Sequence, residues 1–183
     1  MPNTSINFRS VILTILCLSA PSLKAGVASA AQPMERVAQL EREGKPYLAL
    51  KTCAQALSGQ AKPASLRQQL KGKAIGLGAG LNPGPVVPLA VKFLMDRGYK
   101  KISEGSFQDA VELYEQASCA APWWAEPYYS LGLLFEHLTD QKGNRYADRA
   151  IENLALFQKA AGKSDSRVKD VENRIERLRK LRE

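Results

Sequence analysis

Apolar residues between Phe107 and Ser118 recur at intervals of three and four positions, which is the stripe of an amphipathic helix. The stripe consists of Phe107, Ala110, Val111, Tyr114, Ala117 and Ser118. The turn Glu104-Gly105-Ser106 comes before it, and Ser106 is a suitable N-cap. Pro122 stops this helix, and Pro127 fits the first turn of the next one.

The helix before this one and the helix after it share a pattern. Leu94 and Gly98 recur as Tyr128 and Gly132, 34 residues later. The small glycines allow close approach of a partner helix, as Ala110 does from the other side. Gly98 and Ala110 are 12 positions apart, whereas Gly132 and Ala150 are 18 apart. The extra residues fall in "TDQKGNRYA", so we predict a longer turn between the two helices of the second unit.

The segments "YYSLGLLF" and "AVELYEQASCAAP" resemble the two halves of the tetratricopeptide repeat, whose period is 34 residues. Arg97, Lys101 and Gly162 depart from the repeat pattern. The chain is similar to exported bacterial members of that family over about residues 90–182. The resemblance implies an all-α fold, a solenoid of tetratricopeptide-like helical hairpins with a C-terminal capping helix. It assigns packing positions to Leu94, Gly98, Ala110, Tyr114, Ala117, Pro122, Trp124, Tyr128, Leu131, Gly132, Phe135 and Ala150.

Upstream, residues 31–75 are predicted as a divergent helical segment. Four residues there, Gly44, Ala49, Cys53 and Ala56, have the spacing of Gly105, Ala110, Tyr114 and Ala117. This spacing predicts a helix pair over about 34–60, and a third helix is predicted over 64–75. The stretch "GLGAGLNPGPVVP" follows, and its many glycines and prolines cannot sustain a regular helix. Residues 76–89 are therefore predicted as a loop, and residues 90–183 as the repeats with their capping helix.

The last predicted helix carries Val168, Val171, Ile175, Leu178 and Leu181 at intervals of three and four. A terminal helix with one polar face is what a helical solenoid needs to end its stack. A two-stranded coiled coil is the alternative, although the apolar pattern is short for one.

The first thirty residues have the pattern of a secretory signal peptide. Arg9 precedes the apolar run "VILTILCLSA", and the small residues "ASA" end at Ala30. The run is too short to span a bilayer, so no stable membrane span is predicted in the mature chain. A buried core helix and an uncleaved membrane tether are the alternatives. Cleavage after Ala30 would place the protein in the periplasm or outside the cell.

The chain has 183 residues and a net charge of +8, of which Arg9 and Lys24 would leave with the leader. No basic cluster is interleaved with aromatic residues, so nucleic acid is not an expected partner. His137 is the single histidine, which excludes histidine-dependent triads and multi-histidine metal sites. We expect no catalytic residue, no metal and no cofactor, and two reduced thiols at Cys53 and Cys119. An enzyme accessory or degenerate hydrolase remains an alternative.

The family resemblance also implies where a partner binds, because the first helix of each hairpin lines the concave surface. The implied groove residues are Lys92, Met95, Tyr99, Trp123, Glu126, Tyr129, Leu133 and His137. Trp123 would lie at the groove edge or, equally, cover the end of the preceding helix. This set predicts a non-catalytic interaction module that binds a peptide or helix of an envelope protein. The alternative is a structural subunit whose groove is filled by its own N-terminal helices and loop. The oligomeric state stays open.

Overall fold

The computed structural model describes residues 32–59, 63–142 and 144–181, and within these ranges all regular secondary structure is helical. The helices are α1 Gln32–Arg42, α2 Pro46–Ser58, α3 Ala64–Ala79, α4 Leu89–Ser103, α5 Phe107–Ala120, α6 Glu126–Lys142, α7 Ala147–Ala161 and α8 Val168–Lys180. A 3₁₀ turn, Asn144–Tyr146, precedes α7. The all-α prediction is confirmed. The predicted signal peptide, residues 1–30, lies outside the described residues.

Helical hairpins form the framework of the fold. Helix α1 packs against α2, α4 against α5, and α6 against α7. Helix α3 packs on α2, and α8 packs on α7. The N-terminal helices join the rest through the second helices of the later hairpins, because α2 contacts α5 and α3 contacts α7.

Two of the hairpin turns have the same backbone geometry. Gly44 and Gly105 both have positive φ, 68° and 74°, which a residue with a side chain adopts only with strain. The N–H of Gly105 donates to Ile102 at 2.9 Å, and the N–H of Ser106 donates to Lys101 at 2.9 Å. The turn at Gly44 repeats this pair of hydrogen bonds, so both helices end in a Schellman motif. Ser106 precedes α5 as predicted, but its hydroxyl makes no capping hydrogen bond.

Two apolar clusters form the core. One joins residues of α4 to α8 together with Ile75 of α3, and the other joins residues of α1 to α3. Trp123 packs against both clusters. The glycines of the repeat pattern lie at close helix contacts. A Cβ at Gly98 would come within 2.3 Å of the Tyr114 ring, and one at Gly132 within 2.4 Å of Leu154. The helices in these hairpins pack too closely for a larger residue there.

Two sequence predictions of helix ends are wrong. Helix α3 continues through "GLGA" to Ala79, four residues beyond the predicted boundary. A Cβ at Gly78 would lie 2.6 Å from the Trp123 Cβ, so the glycine permits a packing contact that compensates for its poor helix propensity. The extra residues of the second unit lengthen α6 instead of a turn. Leu138 and Thr139 are buried there, which extends the packed face of the helix.

Candidate functional site

A depression of about 290 Å³ lies between α4 and α6, with α5 at its floor. Its lining is mostly aromatic and aliphatic: Tyr99, Ile102, Phe107, Tyr114, Tyr129, Ser130, Leu133, Leu134 and His137. The Phe107 and His137 rings are in edge contact, with centroids 5.2 Å apart. Tyr99 is 55% exposed and stands at the rim.

A second depression of about 230 Å³ adjoins the first, because Tyr99 belongs to both. It is lined by Lys92, Met95, Asp96, Tyr99, Trp124 and Glu126. The two depressions together are termed the α4/α6 groove. Seven of the eight predicted groove residues line it, and the exception is Trp123. Helices α1 to α3 and the loop after them contribute no residue to this lining, so these parts of the chain do not fill the groove.

Tyr114 supplies an unusual polar group at the groove floor. Its side chain is fully buried, and its ring meets the Tyr99 ring edge-on with centroids 5.8 Å apart. Burial raises the pKa of the Tyr114 hydroxyl, so this group stays protonated and is a hydrogen-bond donor. Among the described residues, no acceptor lies within reach of that hydroxyl. A buried donor without an acceptor costs about 1–3 kcal/mol.

One end of the groove is held by an arginine from the α7–α8 connection. Arg167 donates to both carboxylate oxygens of Glu126, at 2.6 and 3.0 Å, and to Asp165 at 2.8 Å. The hydrogen bonds from Arg167 lower the pKa of Asp165 to about 2. The guanidinium also lies over the rings of Tyr129 and Phe157, at 4.8 and 4.9 Å from their centroids. The ring contact holds Tyr129 in place, and the ion pair neutralises the charge of Glu126.

The terminal helix is attached to α6 by a buried carboxylate. Glu136 is only 4% exposed, and it accepts hydrogen bonds from Arg174, at 2.8 Å, and from Arg177. A buried carboxylate is expensive to desolvate unless it is paired in this way. On the same helix Val171, Ile175 and Leu178 are buried. Helix α8 thus packs on α7 and is ion-paired with α6.

The two tryptophans differ only in part from the sequence prediction. Trp124, predicted as a packing residue, packs against the larger core cluster and also lines the α4/α6 groove. For Trp123 the sequence left two alternatives open, the groove edge and the end of the preceding helix. Trp123 does not line the groove and packs against both core clusters. The place of Trp124 at the groove was not predicted, because the prediction extended a helical stripe back to this residue, whereas α6 begins only at Glu126.

Burial also changes the interpretation of single residues. Met95, predicted to face a partner, is 3% exposed and belongs to the core, with only a small part of it at the groove. Ten of the twelve predicted packing residues are buried, and Leu94 and Trp124 are partly exposed. The sequence prediction missed Arg167, whose position on Tyr129 depends on the path of the chain between α7 and α8.

A larger cleft, of about 980 Å³, lies between α2 and the loop before α4, and it is termed the α2 cleft. Its lining residues are Tyr47, Leu50, Lys51, Ala54, Gln55, Ser58, Gly59, Pro83, Gly84, Pro85, Val86, Pro88, Ala120 and Trp123. Apart from the proline-rich composition of the loop, no sequence pattern predicts this cleft.

Other kinds of functional site are not found in the described part of the chain. It contains no group of three or more His, Cys, Asp or Glu side chains that could hold a metal ion. None of its helices has the length and apolar character needed to cross a membrane. Cys53 and Cys119 are both free thiols. Burial raises the pKa of Cys53 to about 11, so it is a poor nucleophile.

Comparison with protein-family models, curated proteins and solved structures found no match to this chain.

Proposed function

We propose that the protein is a non-catalytic interaction module with tetratricopeptide-like hairpins, and that the α4/α6 groove binds a peptide or helix of another protein. The observation that carries the proposal is the continuity of the groove. Residues of two successive first helices line adjoining depressions that share Tyr99. A peptide segment several residues long would bury more surface there than a small molecule in either depression alone.

The chemistry of the groove favours an apolar anchor side chain. The depression beneath Tyr99 is lined by rings and by Leu133 and Leu134, and such surfaces supply most of the binding energy at protein interfaces. Arg167 holds Tyr129 before any partner arrives, and this preorganisation lowers the entropic cost of binding.

The proposal is tested first by site-specific crosslinking in intact cells. A photoreactive residue replaces Tyr99 in one variant and Phe93 in another. The two side chains are similarly exposed, at 55% and 57%, and lie on the same helix, but only Tyr99 lines the groove. We expect a discrete protein adduct from position 99 and none from position 93. Equal adducts at both positions would contradict the proposal.

The crosslinked segment, prepared as a peptide, is then titrated against purified variants. Leu133→Asp places a charge in the apolar depression, and we expect binding at least about tenfold weaker, or about 1.4 kcal/mol. The matched variant Phe93→Ala should bind as the wild type does. Circular dichroism of Leu133→Asp establishes that it remains folded. Unchanged affinity in the folded Leu133→Asp protein would exclude this groove.

The envelope location is part of the same proposal, and it is supported by the sequence pattern of the first thirty residues. N-terminal sequencing of the protein recovered from the cell envelope tests it. We expect the mature chain to start at Ala31. A chain that retains its apolar run would indicate a membrane tether instead.

A further inference from the structure

The α2 cleft is larger than either depression of the α4/α6 groove and is separate from that groove. One wall is a face of α2, because Tyr47, Leu50, Lys51, Ala54, Gln55 and Ser58 recur at helical spacing. The opposite wall is the 83–88 loop. The hydroxyl of Tyr47 donates to the Pro83 carbonyl at 2.6 Å and ties the two walls together. The volume of about 980 Å³ is typical of a binding site for a small molecule.

The walls of this cleft offer little to a peptide backbone. Pro83, Pro85 and Pro88 have no N–H group, so the loop has few donors for the carbonyls of a peptide. Most other lining groups are apolar side chains. Gln55 and Ser58 are the polar exceptions, so a bound peptide would replace only a few of the hydrogen bonds that its amides make with water. A hydrocarbon chain carries no such cost, and the lining suits it better.

The charge in the lining of the cleft has one sign. The sequence contains no Asp or Glu between Glu43 and Asp96, and this stretch supplies every residue of α2 and of the loop. Lys51 is the one charged residue in the lining. It forms no ion pair with a carboxylate of any described residue. A ligand with one negative charge would therefore meet an attractive potential and a single uncompensated cation.

We propose that the α2 cleft binds a monomeric fatty acid, with the hydrocarbon chain between α2 and the 83–88 loop and the carboxylate paired with Lys51. In this proposal the apolar walls contact the hydrocarbon chain of the fatty acid, and Lys51 pairs with its carboxylate. Trp123 belongs to the same lining and serves as a reporter. Its indole N–H is buried and has no acceptor among the described residues.

The test titrates the full chain with sodium dodecanoate, decanoate and octanoate below their micelle concentrations. The substitution Trp124→Phe leaves Trp123 as the single tryptophan, so its fluorescence reports on the cleft. We expect saturable binding that strengthens by about fourfold for each methylene group added to the ligand. Dodecyltrimethylammonium, which has the same chain and the opposite charge, should bind much more weakly than dodecanoate.

Three variants locate the site. Lys51→Gln should weaken dodecanoate binding by about threefold to tenfold, because it removes one charge-assisted contact. Lys45→Gln is the matched control, since Lys45 is paired with Glu43 and does not line the cleft. It should change the affinity by less than about twofold. Ala54→Phe fills part of the cleft and should abolish binding, while its thermal unfolding establishes that it is folded.

Other outcomes would overturn the proposal. Equal binding of dodecanoate and dodecyltrimethylammonium, unaffected by Lys51→Gln, would mean that the cleft is a nonspecific apolar surface. Binding to vesicles with anionic phospholipid but not to monomeric dodecanoate would assign the face to a membrane surface. A dimer of the full chain that dissociates in the Ala54→Phe variant would assign the cleft to a second copy of the protein.

Discussion

The substitution Gly132→Ala tests how closely α6 and α7 pack. A Cβ at this position would lie 2.4 and 2.6 Å from two side-chain carbons of Leu154, and 3.3 Å from its backbone nitrogen. Carbon atoms normally pack about 3.5–4.0 Å apart, so the two helices would have to separate by roughly 1 Å. Leu154 is fully buried and has no room to move aside.

The expected change in the free energy of unfolding is the difference between two opposing effects. Alanine is a better helix former than glycine by about 0.8–1 kcal/mol. Overpacking a well-packed core costs about 1–3 kcal/mol, and the backbone contact places Gly132 at the upper end. We therefore expect Gly132→Ala to lower the free energy of unfolding by about 2 kcal/mol. For a chain of this size, the midpoint of thermal unfolding should fall by roughly 4–8 °C.

Gly72 provides the matched control for this prediction. It lies inside α3, and a Cβ there would meet nothing within 4 Å. Gly72→Ala should gain the helix propensity without the clash, and raise the unfolding midpoint by roughly 2–3 °C. Thermal and urea unfolding of the full chain, followed by circular dichroism, measure both variants. The same substitution is thus expected to destabilise the protein at position 132 and to stabilise it at position 72.

If Gly132→Ala is as stable as the wild type, α6 and α7 are not in close contact at Gly132 and Leu154. The double variant Gly132→Ala/Leu154→Ala gives an independent measure, because it removes the side chain that the new methyl group meets. Its destabilisation should be smaller than the sum of the two single effects by about 1–2 kcal/mol. Strict additivity would argue against the Gly132–Leu154 contact.

Three further predictions follow from charged and titratable groups. Glu136→Gln should destabilise the protein by about 2 kcal/mol in urea unfolding, whereas Arg177→Ala should cost less than about 1 kcal/mol because Arg177 is largely exposed. The pKa of Asp165 is about 2 in the folded protein, below its ordinary value of 3.8. The unfolded chain therefore binds more protons between about pH 4 and about pH 2, and the stability that Asp165 contributes is present above this window and lost as pH falls through it. Asp165→Asn should make urea unfolding less dependent on pH in that window, and an unchanged pH profile would contradict the assignment. With iodoacetamide at about pH 8, Cys119 should react with the native protein while Cys53, whose thiol is buried, reacts only on unfolding, as mass spectrometry of single-cysteine variants would measure.

The helices and most of their limits follow from local sequence. The apolar stripe of α5, the proline after it and the glycine before it act within a few residues of each other, so sequence patterns are sufficient to predict them. The same holds for the repeat spacing of Gly98 and Gly132. Both glycines lie where the chain approaches itself closely, and that contact recurs because the hairpin geometry recurs.

Errors in prediction arose where the environment, not the local pattern, decides the outcome. Helix α3 crosses a glycine-rich segment because Trp123 packs against Gly78, a contact between residues 45 positions apart in sequence. Trp124 lies at the groove as well as on the core because the chain before α6 does not follow the helical periodicity. In the α4/α6 groove, the sequence indicated which residues share a face, but not that Met95 would be buried or that Arg167 would cover Tyr129.

The helical character of the described residues, the position of most turns and the apolar side of each helix follow from local sequence, because these properties depend on residues within a few turns of one another. Which surfaces stay accessible depends on the tertiary structure. Groove and cleft are spaces between distant segments, and their shape depends on how α2, the 83–88 loop, α4 and α6 pack. That packing depends on side-chain volumes and ion pairs, which cannot be predicted from the periodicity of apolar residues in the sequence.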